Sequence, residues 1–383
     1  MTQTNGFYSS IDFDLHGIAG VRLVGATPDD VAAVARQLGP LRRELTRDPD
    51  LTIRFVDRLP LTSPIRYIGV DDAGYAGDAF LVLRSKHKAQ ARVQIPLAQV
   101  GIQPAEILCE HGLPAVPLLI AMINLVALGK GVLPMHASAF HYQGQGILTT
   151  GWSKGGKTET LLAFMAHGAD YVGDEWVYIR PDDSADGRPT DMRICGIPEP
   201  IRVWDWHLHD LPQCRERIGR KEQMRLRLLK LMAHSTERAG RPQLGAPTQL
   251  MRRLTPLIKQ QLHVDIAPQR LFNQPVGALD VRLDKVLFVA SHDSPEVRVD
   301  AMDPQEIAQR MLFSLQTERL DFMAAYYKYR FAFPDACNPL IEQAEERQAA
   351  LLTRALAHKT AYALYHPYPV SIPSLYDAFL PYL

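Results

Sequence analysis

Apolar and polar positions alternate and cluster along this chain in a way that predicts strands and helices in close succession. Residues Val21, Arg22, Leu23 and Val24 alternate like a half-buried strand, and Thr27-Pro28-Asp29-Asp30 then opens a helix running to Leu38. Thr27 suits the N-cap and Pro28 the first helical position. Alternation over Leu51–Val56, 65–70 and 79–83 predicts three more strands, the last ending in the basic turn Arg84-Ser85-Lys86-His87-Lys88. The apolar run 113–128 predicts a buried helix stopped near Gly129-Lys130-Gly131. Further on, short strands at 137–142 and 147–150 enclose the turn Gln143-Gly144-Gln145-Gly146. A helix over 159–167 stops at Gly168, and the strand 171–173 runs into Asp174-Glu175. Beyond a polar loop at 180–189, strands are expected at 191–195, 285–290 and 297–299, with helices at 305–330 and 339–358.

This order predicts an α/β protein in three parts. Residues 1–130 form an N-terminal α/β domain suited to substrate or partner recognition. Residues 131–320 form the core, interrupted by a helical insertion at 215–262. Residues 321–383 form a C-terminal helical tail, in which Tyr362, Tyr365, Tyr368, Tyr376 and Tyr382 pack among prolines.

Composition narrows the class. The 383 residues carry 42 basic and 42 acidic side chains, and 46% are hydrophobic, which excludes wholesale disorder and a chain that binds nucleic acid throughout. The neutrality hides an uneven distribution: the insertion 215–262 holds twelve basic residues against three acidic ones. That surplus fits a solvated helical face, a clamp for phosphates or an acidic substrate, or a nucleic-acid patch. The last is disfavoured, because no Phe, Trp or Tyr lies between Cys214 and Phe272. Four dispersed cysteines, with no C-x-x-C pair, argue against a disulfide scaffold and a cysteine zinc site. His207 and His209 stand two apart, which is no standard zinc spacing, and Trp204 and Trp206 beside them are expected to pack or to cover the site. The N-terminus lacks the layout of a signal peptide, and the run 113–128 is short for a bilayer and contains Pro114, Pro117 and Asn124. A cytoplasmic protein without a membrane span is expected, with homo-oligomerisation open.

The chemistry concentrates in one loop. Gly151-Trp152-Ser153-Lys154-Gly155-Gly156-Lys157-Thr158 fits G-x-x-x-x-G-K-[ST] at every position, with an apolar strand before it and a helix from Thr158 and Glu159 after it. Glycines let successive N–H groups turn inward onto phosphate oxygens, and the helix N-terminus adds its positive end. Lys157 would neutralise the β- and γ-phosphates, and the Thr158 hydroxyl would reach Mg²⁺. Asp174 and Glu175, closing the next strand, are placed to hold metal or to take a proton from an attacking hydroxyl. His136, ahead of the hairpin, is either structural or part of the site.

These residues together resemble a family. Met135-His136-Ala137-Ser138, the run Gly146 to Gly151, the phosphate loop, and the stretch Gly168 to Glu175 look like the catalytic core of HPr serine kinase/phosphorylase and its relatives. The resemblance implies a phosphoenolpyruvate-carboxykinase-like P-loop fold and ATP–Mg²⁺ phosphorylation of an alcohol group. It implies Asp174 as general base, Lys157 on the phosphates, Thr158 and Glu175 on the metal, and His136 near the phosphates. Glu175 stands where the family has a second Asp. The family's next signature carries a Glu and an Arg, whereas Met192-Arg193-Ile194-Cys195-Gly196-Ile197 has Arg193 and Cys195 there. That departure argues against the reverse phosphorylase reaction and against HPr itself as acceptor. The N-terminal unit resembles the extra domain of HPr-kinase-related proteins of unassigned substrate. The expected activity is transfer of the ATP γ-phosphate to a serine of a peptide or protein, or to a small hydroxylated metabolite. The alternative is a nucleotide-binding sensor that transfers nothing.

Overall fold

A computed structural model of the chain describes residues 3–4, 7–69, 73–84, 90–183, 191–239 and 255–383. It is a mixed α/β structure whose larger sheets combine local hairpins with longer crossovers. The basic turn at 85–88, most of the loop 180–189, and Arg241, Arg252 and Arg253 lie outside the described residues.

The N-terminal part is a nine-stranded sheet. Its centre is parallel, with Ala19–Ala26 beside Leu51–Val56 and Leu51–Val56 beside Ala105–Glu110. The helix Pro28–Leu38 begins as the sequence predicts: Thr27 accepts from the Asp30 N–H, and Asp30 reaches back to the Thr27 N–H, a reciprocal cap. The apolar helix is shorter than expected. It spans Leu119–Gly129 rather than starting at 113. Pro114 and Pro117 restrict the residues before them to extended backbone, and Leu118 sits in the left-handed region, so the helix cannot begin earlier.

Two sheets build the core. A six-stranded sheet has the spatial order Asp170–Gly173, Ser138–Tyr142, Gln145–Thr150, Lys285–Ser291, Thr360–His366, Arg298–Ala301. The three strands Gln145–Thr150, Lys285–Ser291 and Thr360–His366 are parallel. Gln143 and Gly144, both at positive φ, close the hairpin between Ser138–Tyr142 and Gln145–Thr150 as a two-residue turn. A four-stranded antiparallel sheet, Leu133–His136, Trp176–Pro181, Met192–Gly196 and Asp280–Arg282, packs nearby. Between these sheets and the helices Pro304–Glu318 and Ala344–Leu356 lies an apolar core that includes Met135, Leu148, Ile194, Val286, Met311 and Leu352. The helix Lys157–Met165 covers the other face of the six-stranded sheet, where Phe164 stacks on Phe140 with ring centres 4.7 Å apart.

The segment 321–383 is not purely a helical tail. Its strand Thr360–His366 lies inside the six-stranded sheet and carries Tyr362 and Tyr365. The long helix expected at 305–330 is two helices, Pro304–Glu318 and Leu320–Ala332, broken at Arg319. Phe322, Tyr326 and Tyr329 of the second join the core of the N-terminal sheet, so the C-terminal segment ties both parts together. The helix predicted at 339–358 is likewise split, into Pro339–Glu342 and Ala344–Leu356.

Candidate functional site

Parallel strands point their carboxyl ends the same way, and open α/β sheets bind ligands at that edge. The loop 151–156 leaves the carboxyl end of Gln145–Thr150 and turns straight into the helix Lys157–Met165. Its glycines are required by geometry. Gly151 and Gly156 have φ of 152° and 110°, and a Cβ on Gly156 would collide with the ring of His366. A Cβ on Gly155 would press on the carbonyl oxygens of Trp152 and Val289, at 2.9 and 3.0 Å. The backbone therefore curls tightly against the strand Lys285–Ser291. Trp152, Ser153 and Lys154 project outward, Trp152 being 52% exposed.

Lys157 is buried, and its ammonium rests on the carbonyl oxygens of Trp152 (3.0 Å) and Gly151 (3.4 Å). Among the described residues no carboxylate is within ion-pair distance of it. Burial pushes its pKa below the ordinary lysine value, against the pull of nearby Glu175 and Asp174. A buried cation held only by carbonyl oxygens is poised for an anion. The neighbouring strand braces this corner, since Ser138 Oγ donates to the Lys157 carbonyl at 2.9 Å.

Asp174 and Glu175 follow the strand Asp170–Gly173, whose carboxyl end lies at the same edge. Glu175 adopts φ of 68°, which turns the two side chains in opposite directions. Asp174 is buried and receives the Thr158 hydroxyl, whose Oγ1 lies 3.1 and 3.2 Å from its two oxygens. Burial, then the charge of Glu175, raise its pKa to about 7. The Glu175 carboxylate is exposed and turns to His136 instead, with Oε2 3.0 Å from Nε2. That hydrogen bond holds Glu175 below the ordinary carboxylate range.

His136 is thereby drawn firmly into the site. Its Nδ1 stands 2.8 Å from Glu318 Oε1, an ion pair by distance that falls short of hydrogen-bond alignment. Burial opposes charge on this ring, but Glu175 and Glu318 together outweigh it and raise its pKa. Trp176 packs on the ring, with centroids 5.7 Å apart.

Four further residues bear on the site, and the motif gives no signal for them. Glu318 ends the helix Pro304–Glu318, far along the chain. Glu199, between two prolines, has a buried Oε1 without a hydrogen-bond partner among the described residues, and burial beside Glu175 and Asp174 holds its carboxyl well above the usual range. Arg202 pairs with Asp265 at 3.0 Å and lowers the pKa of Glu175 through space. His366 ends a parallel strand and meets the Gly155 carbonyl at 2.9 Å from beneath the loop.

Other expectations resolve differently. Glu159 does not point freely at the loop: its carboxylate meets His207 Nε2 at 3.1 Å, while His207 Nδ1 accepts from the Trp204 N–H. His209 is exposed beside Asp210, and Trp206 packs edge-on against His207. Arg193 pairs with Asp280 and Asp182. It lines a cleft of about 490 Å³ with His141, Asp170 and Phe272. That cleft lies at the far end of the strands from the phosphate loop, because His141 and Asp170 sit at the opposite strand ends. The basic insertion contains the helix Arg220–Ala239, which buries only Leu226 and Ala233 among its described side chains. Lys230 pairs with Asp205, and Arg217 donates to the Leu271 carbonyl. Cys109, Cys195 and Cys214 are buried free thiols, and Cys337 is an exposed one.

Among the described residues no three His, Cys, Asp or Glu side chains converge as a metal cage. Mg²⁺ bound with a nucleotide needs only one or two protein oxygens beside phosphate and water. Thr158 and Asp174 supply such a pair. Among the described residues no helix is long and apolar enough to cross a membrane. Set against models of known protein families and against curated proteins, the chain matches none.

Proposed function

We propose that the chain is a cytoplasmic ATP-dependent phosphotransferase with an HPr-kinase-like core, acting on a hydroxyl of a peptide or protein serine or of a small metabolite. One observation carries the reading: a buried carboxyl with its pKa raised to about 7 touches the hydroxyl that closes a glycine-rich phosphate loop. Phosphoryl transfer asks little covalent chemistry of a protein beyond placing charge and removing a proton.

The N–H groups of residues 151–157 and the helix behind them cradle the phosphates. Lys157 exchanges its carbonyl contacts for phosphate oxygens and neutralises the charge that grows on them. Thr158 and one oxygen of Asp174 would hold a Mg²⁺ ion, which would supply further neutralisation of phosphate charge. Asp174 takes the acceptor's proton as the acceptor oxygen bonds to the γ-phosphorus and the bond from that phosphorus to the bridging oxygen breaks, releasing ADP. His136, whose protonated form Glu175 and Glu318 favour, stands beside the same edge.

The experiment is transfer of label from [γ-³²P]ATP to serine peptides and small alcohols in the presence of Mg²⁺. Labelled product is expected from the natural chain and none from Lys157→Ala. ATP binding with no label leaving ATP under any condition would instead favour the sensor reading.

A further inference from the structure

The helix Arg220–Ala239 turns its larger apolar face away from the protein. Inward it buries only Leu226 and Ala233 among its described side chains. The Lys230–Asp205 pair and the bond from Arg225 to the His263 carbonyl fix its rotation. Outward it carries Met224, Leu228, Leu231 and Met232, which are 70%, 59%, 69% and 45% exposed. These four lie within about 60° of the direction opposite Leu226, at the helical spacing of residues. Isolated exposed apolar residues are ordinary, but a row of long ones on one face of a helix is a contact surface.

Cations border the row on both sides. Arg220 and Arg227 stand along one flank, and Lys221 and Arg225 along the other. Among the described residues none of these four has a carboxylate within ion-pair distance, whereas Lys230 pairs with Asp205 on the inward side. The acidic positions of the helix, 222 and 237, fall by register on its inward half. The outward half is thus apolar along its centre, positive along both edges and free of acids.

That order of groups selects the partner. A nucleic acid would meet the apolar row before it met a cation, and no Phe, Trp or Tyr lies between Cys214 and Phe272 to stack on a base. A bilayer supplies acyl chains beneath an apolar row and anionic headgroups on both sides of it, where the long Arg and Lys side chains end. The helix would lie on such a surface, since no described helix is long and apolar enough to cross a membrane. We infer that this face binds the chain to bilayers containing anionic phospholipid, with the helix in the plane of the headgroups and the apolar row inserted. The inference is independent of the phosphotransfer reading.

Vesicle flotation of the full chain tests it. Phosphatidylcholine vesicles with about 30% phosphatidylglycerol are expected to carry the chain, and pure phosphatidylcholine vesicles to bind it at least ~10-fold more weakly. Raising the salt from about 0.1 to about 0.5 M is expected to release most of it. Leu228→Glu/Leu231→Glu removes the apolar row and Arg220→Gln/Lys221→Gln/Arg227→Gln the charged edges. Each is expected to weaken binding at least ~10-fold. The circular dichroism spectrum should not change, because all five side chains are exposed. A polarity-sensitive dye on Leu228→Cys, in a Cys337→Ser background that removes the exposed native thiol, is expected to shift to the blue on anionic vesicles. Absence of flotation with anionic vesicles, equal binding to both vesicle types, or an unshifted dye would each overturn the inference. So would a Leu228→Glu/Leu231→Glu variant that floats like the natural chain. Binding of a single-stranded RNA probe that the arginine variant loses, with no vesicle binding, would overturn it in favour of nucleic acid.

Discussion

Thr158 Oγ1 lies 3.1 and 3.2 Å from the two carboxylate oxygens of Asp174, although the two are sixteen positions apart, with most of the helix Lys157–Met165 between them. The contact exists because the phosphate loop and the acidic turn leave strands running in the same direction at one sheet edge. It joins the end of the loop to the group proposed to accept the proton.

Asp174→Asn keeps the shape of that contact and removes the base. Turnover with any true acceptor should fall about 10²- to 10⁴-fold while the affinity for metal-free ATP stays within a few-fold. Steady-state phosphotransfer alongside isothermal titration separates the two quantities, and equal turnover in both proteins would refute the assignment.

Asp174 should make the nucleotide-free chain lose stability, relative to Asp174→Asn, as pH rises. Asp174 has an ordinary carboxyl pKa when unfolded and about 7 when folded. Between those values the folded state keeps a proton that the unfolded state gives up, so each step upward in pH favours unfolding. Above about 7 this contribution to the slope ends. Thermal denaturation in EDTA from pH 4 to 8 should show the natural chain falling relative to Asp174→Asn, and parallel curves would contradict the raised pKa.

Glu318→Gln should lower the titration midpoint of His136. Burial opposes the charged ring, and the carboxylates of Glu175 and Glu318 hold the midpoint above the ordinary histidine value. The stabilisation from that charge is complete below the ordinary pKa and is lost as pH rises through the folded one. NMR titration of the ring reads the shift directly, and an unchanged midpoint would mean that Glu318 does not act on it.

Gly156→Ala tests the loop geometry. Its φ of 110° lies in the left-handed region, and the added methyl meets His366. Loss of ~1–3 kcal/mol of stability is expected, together with weakened ATP binding. Ser153→Ala, at an exposed loop position, should change stability little. Chemical denaturation of both variants makes the comparison.

Much of this site was legible in the sequence because its parts are local. The loop 151–158, the hairpin before it and the strand into Asp174 follow in order, so periodicity and glycine placement suffice to find them. The cap at Thr27 and Asp30 is legible for the same reason. Contacts made by folding over long separations were not: Glu318 lies 182 residues beyond His136, and His366 reaches Gly155 from a strand that reads as part of a tail. The turn at Glu175 was also hidden, since only its positive φ sends Asp174 to Thr158 and Glu175 to His136. Proline defeated the simple reading of the run 113–128, where hydrophobicity favours burial but the backbone cannot yet be helical.

The most direct measurement is release of label from [γ-³²P]ATP by the natural chain and by Asp174→Asn, with Mg²⁺ present and water, small alcohols and serine peptides offered together. ATP binding is measured on the same samples. The account predicts that both proteins bind ATP, that label leaves ATP with the natural chain, and that the variant is slower by at least ~100-fold. Binding by both with label retained on ATP, or equal release by both, would contradict it.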